Sequence, residues 1–87
     1  MLEPKDAVGK ARTYLGEVLP DFAELDPKVD EMKLVNDKCW KITFYAYLGD
    51  EAKSETLADI LRRRRIEKVV SIDSGDGSLI SVENFPF

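Results

Sequence analysis

Apolar residues recur at Ala7, Val8, Ala11, Leu15, Val18 and Leu19. Spacings of three and four collect them on one stripe of a helix, and Lys5, Lys10, Arg12 and Glu17 lie away from its centre. Pro4 suits a first helical position, where its missing N–H costs nothing. Pro20 restricts Leu19 and stops the hydrogen-bond ladder. The pattern predicts a helix over residues 5–19. Gly9 and Gly16 each weaken it by about 1 kcal/mol relative to alanine, so burial of the stripe must supply most of its stability. Their missing side chains are read as room for a strand to approach.

The period then changes. Residues 21–30 read as a connector, with Phe22 and Leu25 plugging the edge of the core and Pro27 setting the chain extended. Met32, Leu34 and Val35 make a short strand, and Asn36-Asp37 is a turn signal that Lys38 extends to three residues. Trp40, Ile42, Phe44, Ala46 and Leu48 then alternate with Lys41, Thr43, Tyr45 and Tyr47. A period of two sends the first set to one face of a strand, toward the helix, and the second set to the other. Gly49-Asp50 ends this strand.

Ser54 is a good N-cap for a second helix, residues 54–64, with Glu55 in its first turn and Leu57, Ile60 and Leu61 as a narrow apolar stripe. The run Arg62, Arg63, Arg64 and Arg65 falls at its C-terminal end, where cations complement the helix dipole. A hairpin closes the chain: Ile66, Val69, Val70 and Ile72 on one strand, Leu79, Ile80, Val82 and Phe85 on the other. Ser74-Gly75-Asp76-Gly77 between them tolerates the left-handed backbone a tight turn needs.

These elements define one α+β domain over residues 1–87, a two-layer sandwich. The N-terminal helix packs on a four-stranded, mostly antiparallel sheet, and the second short helix lies between strands two and three. That helical connection leaves both a meander and a parallel crossover open.

The order of elements resembles the PepSY-like domains. The matching pieces are the helix Ala7–Leu19, the strand Lys38–Leu48 around Trp40, and the run Val70-Ser71-Ile72-Asp73-Ser74-Gly75-Asp76-Gly77-Ser78-Leu79-Ile80. The tryptophan strand followed by an Asp-Gly hairpin is also similar to the gas vesicle protein O family. The resemblance implies an antiparallel meander and a binding or inhibitory role, and it transfers no functional residue.

Composition narrows the chemistry. Among 87 residues there is no histidine and no glutamine, one cysteine (Cys39), and a formal net charge of −4. Without histidine there is no Ser-His-Asp or Cys-His catalysis and no imidazole metal site. A lone cysteine excludes a disulfide framework, and Cys39 in a strand is read as a small apolar side chain. The reading is therefore non-enzymatic, with no cofactor. Few amides among many charged residues is the composition expected of a thermophile. The N-terminal residues do not form a signal peptide and no apolar run approaches the roughly 20 residues of a membrane span. A soluble, cytoplasmic protein without a membrane partner is expected.

Three candidate sites follow. The first is the sheet face turned away from the N-terminal helix, where Tyr45, Tyr47, Val69 and Leu79 are expected to form an apolar contact patch for a protein partner or a second copy of the chain. The alternative is that the second helix covers this face. The second candidate is the run Arg62 to Arg65, which suits phosphate or nucleic-acid contact. The negative net charge and the acidic connector (Glu17, Asp21, Glu24, Asp26, Asp30, Glu31) favour pairing within the protein instead. The third is weak divalent-cation binding by Asp73 and Asp76, where Asp76-Gly77 and Glu83 echo the second half of a calcium loop but Ile72 and Ser74 occupy its leading positions. An ordinary hairpin turn explains the same residues.

Overall fold

The computed structural model describes residues 1–48 and 64–85. Their order is α1 (Pro4–Val18), α2 (Pro20–Ala23), β1 (Lys28–Val35), β2 (Cys39–Leu48), β3 (Arg64–Asp73) and β4 (Leu79–Phe85). The sheet runs β1-β2-β3-β4 with every neighbouring pair antiparallel. The β2–β3 connection thus closes a meander and the parallel crossover is ruled out. The fold is the expected α+β arrangement of a helix on a four-stranded sheet.

Pro4 opens α1 at its first turn and Leu19, ahead of Pro20, ends it. Pro20 then starts the single turn of α2, most of which falls within the expected connector. The predicted stripe is the packing face: Ala7, Ala11 and Leu15 are buried, with Val8, Tyr14 and Leu19 half-buried beside them. Val18, assigned to the same stripe, is 48% exposed because the helix ends there. Gly9 and Gly16 face open space, with nothing within 4 Å of where a side chain would begin. They mark no close approach of a strand.

Strand β2 sets the interior. Trp40, Ile42, Phe44 and Ala46 pair in register with Ile72, Val70, Lys68 and Ile66 of β3, so even-numbered residues of both strands face α1. Ile42, Phe44, Val70 and Ile72 have no exposed surface. Phe22 and Leu25 close the core as expected. On α1, Arg12 donates to the Pro27 carbonyl at 2.7 Å and lies 5.3 Å over the Phe44 ring, tying the helix to the start of β1.

The two central strands are regular, whereas each edge strand carries one irregularity. In β1 the register shifts between Val29 and Glu31, and in the β3–β4 pair it shifts at Ser71/Ile72, where Leu79 pairs with Ile72 and Ile80 is passed over. An extra residue bends an edge strand and spoils it as a template for further pairing. It also reverses which residues point inward. Val29 packs against the core on one side of the β1 shift, and Met32 does so on the other.

The loops and the N-terminus are laced at one end of the sheet. The Asn36–Lys38 loop has the predicted three residues, with Asn36 and Asp37 both at positive φ, a conformation these residue types tolerate. The Leu2 N–H donates to the Ser74 carbonyl at 2.6 Å, and the Trp40 indole N–H donates to the Leu2 carbonyl at 3.1 Å. Buried Ser74 joins the two hairpins, its N–H donating to the Lys38 carbonyl and its hydroxyl to the Asp37 carbonyl. The Tyr14 hydroxyl donates to the Gly77 carbonyl at 2.8 Å. Gly77 has φ +77°, and a side chain there would collide with Lys10 and come within 2.9 Å of Leu2.

The expected second helix lies outside the described residues apart from its end, and there the structure corrects it. Arg64 and Arg65 begin β3, paired with Leu48 and Tyr47. Leu15→Ala is expected to destabilise the protein by about 2–5 kcal/mol, since it opens a cavity between helix and sheet. Val18→Ala, at the exposed end of the same stripe, is expected to change stability by less than about 0.5 kcal/mol. Urea unfolding of the two variants checks this.

Candidate contact site

The odd-numbered row of β2 occupies the sheet face away from α1. Tyr45 and Tyr47 lie there as expected, with ring centroids 5.9 Å apart and planes at 79°, an edge-to-face pair. Tyr47 is 37% exposed and Tyr45 half-buried. Register places Arg65 opposite Tyr47 and Glu67 opposite Tyr45. The Arg65 guanidinium therefore falls over the Tyr45 ring, 4.3 Å from its centroid. It also donates through Nε to Glu67 at 2.7 Å and lies 3.1 Å from an Asp30 oxygen. The hydrogen bond to Glu67 raises the Arg65 pKa most, with Tyr47 and Asp30 adding, while desolvation opposes them. Solvent screens these pairs, so their role is to fix orientation more than to add stability.

Two candidate sites thus meet. Arg65, a member of the candidate phosphate-binding run, is stacked on the tyrosine face and engaged by two carboxylates. Arg64 is a strand residue, and its side chain, with all of Arg62 and Arg63, lies outside the described residues. The Arg65–Asp30 pair is the internal pairing expected between the arginine run and the acidic connector, whereas sequence reasoning missed Glu67. Asp30 arrives through the β1 bulge, and the only trace of that in the sequence is the acidic pair Asp30-Glu31 interrupting the strand's alternation.

The other two patch residues need correction. Val69 lies on the predicted face, opposite Thr43, but is only 5% exposed, and Thr43 and Ser71 beside it are buried too. Leu79 packs against the helix-side core. The register shift at β4 turns it inward and leaves Ile80 outside, 56% exposed, the reverse of a uniform alternation.

The Asp73–Ser78 turn uses its carboxylates internally. One Asp73 oxygen accepts the Gly75 and Asp76 N–H groups at 2.7 and 3.2 Å, and an Asp76 oxygen accepts the Ser78 N–H at 2.8 Å. The Gly77 N–H to Asp73 carbonyl bond closes the turn. Among the described residues no group of three or more metal-binding side chains converges. No described helix is long and apolar enough to cross a membrane. Cys39 is half-buried and free.

No family model matches the chain, and comparison with curated proteins and with solved structures finds no match either.

The Ser78 N–H holds the Asp76 carboxyl below the usual aspartate range. A group whose pKa is lower folded than unfolded stabilises above its unfolded value, and that contribution is lost as pH falls through the folded one. Asp76 is therefore expected to titrate below the ordinary aspartate value in a carboxyl NMR titration. The stability advantage of wild type over Asp76→Asn should be full near about pH 6 and vanish below the depressed value.

Proposed function

We propose that this chain is a non-catalytic protein-interaction module that pairs with a second copy of itself through the Tyr45–Tyr47–Arg65 face. The observation that supports this most is the tyrosine pair held edge-to-face under Arg65, with Tyr47 more than a third exposed. Tyrosine and arginine are the residue types that dominate protein contacts, and here their side chains are already ordered, which lowers the entropy cost of binding.

The same face offers a self-complementary arrangement. Tyr47 is the exposed end of the tyrosine pair, beside half-buried Tyr45. A two-fold axis at the exposed Tyr47 end of the row sets Tyr47 of one copy against Tyr47 of the other. Such an isologous contact is the commonest form of self-association. Arg65 is engaged by Asp30 and Glu67, which favours this reading over phosphate or nucleic-acid contact at that residue. On this reading the protein works in the cytoplasm without a cofactor.

Sedimentation velocity over a concentration series tests the proposal. Wild type should show a concentration-dependent dimer. Tyr47→Asp should weaken it by about tenfold or more, one lost contact of about 1.4 kcal/mol. A wild-type chain that stays monomeric at the highest concentrations contradicts it.

A further inference from the structure

The helix-facing row of β3 reads Ile66, Lys68, Val70, Ile72, and the lysine is out of place in it. Lys68 stands opposite fully buried Phe44 on one side and Asn84 on the other. Its ammonium donates to the Asn84 side-chain oxygen, a neutral partner. Among the described residues it pairs with no carboxylate. A cation on the apolar side of a sheet is the kind of placement that calls for a reason.

The surroundings supply one. Lys68 borders an open groove of about 400 Å³ between the end of α1, α2 and β3. Its walls are Val18, Leu19, Phe22, Leu25 and Ile66. Asp21 also borders it, exposed on α2. The volume and the mostly apolar lining, with one cation and one carboxylate at its border, match sites that take small amphipathic ligands. The lysine stem lies along the apolar wall while its ammonium reaches water, as long cationic side chains do at an apolar boundary.

We propose that this groove binds a single-chain amphipathic carboxylate, its alkyl chain against Phe22, Leu25 and Ile66 and its carboxylate on the Lys68 ammonium at the mouth. The head lies on the Lys68 side of the mouth, on β3, and not on the Asp21 side, on α2. A neutral or cationic chain of the same length gains the apolar contact alone, and the cationic one meets Lys68 as a like charge. The groove lies on the opposite side of the sheet from Tyr45 and Tyr47, so this site is independent of self-association through that face.

The test is a methyl and amide NMR titration of the full chain with decanoate, below its micelle concentration, beside decanol and decyltrimethylammonium. Decanoate is expected to shift the signals of Val18, Leu19, Leu25 and Ile66 saturably and to bind at least about tenfold more tightly than either comparison ligand. Lys68→Met keeps the apolar stem and should remove that preference while leaving the spectrum of the core intact. The proposal is overturned if decanoate leaves these signals unmoved, or if the three ligands bind alike to wild type. It also fails if the groove signals shift with protein concentration alone, which would place a second copy in the groove.

Discussion

The structure depends on the register between β2 and β3. Ten residues of one strand face ten of the other without interruption, from Cys39 opposite Asp73 to Leu48 opposite Arg64. Because side chains alternate, that unbroken pairing sends every even-numbered residue of both strands toward α1 and every odd-numbered one away. A slip by one place would bring Thr43, Tyr45 and Val69 under the helix and put Ile42, Phe44 and Val70 in their place. The core and the tyrosine face are therefore two consequences of one constraint.

What fixes the register is distributed. At one end the loops hold it: Ser74 bridges both hairpins, Leu2 accepts from Trp40 and donates to Ser74, and Tyr14 reaches the Gly77 carbonyl. These bonds satisfy polar groups that the packing of α1 would otherwise leave without partners. At the middle, Ala7, Ala11 and Leu15 bring the helix close to the sheet, and small residues at two of these three positions allow that approach. Toward the other end α1 has stopped, the groove opens beside Lys68, and on the opposite face Arg65 orders the tyrosines. The features available for contact thus lie away from the laced end.

Much of this was legible in the sequence. The 3.6-residue stripe of α1, its proline at each boundary, the alternation of β2 and the three-residue Asn36–Lys38 loop all follow from local rules that tertiary packing did not override. The failures share a cause. Leu79 and Ile80 exchanged faces because an edge strand absorbed an extra residue, and no local signal distinguishes a bulged strand from a regular one with the same composition. The β1 bulge was unseen for the same reason, although the pairing of Asp30 with the arginine run was expected from charge. Arg64 and Arg65 were assigned to a helix because four arginines carry helix propensity and no alternation, and it is pairing with Leu48 and Tyr47 that makes them strand. Val69 was placed on the right face, but its burial depends on neighbours that a single strand's pattern does not show. The candidate site was thus half visible: the tyrosines from alternation and Asp30 from charge, Glu67 only from register.

Methyl NOE spectroscopy tests the central register most directly. The methyl groups of Ala7, Ala11 and Leu15 are predicted to show NOEs to Ile42, Val70 and Ile72 and none to Thr43 or Val69. NOEs from the helix methyls to Thr43 and Val69 would place the odd-numbered row under the helix and contradict both the core and the contact face built on it.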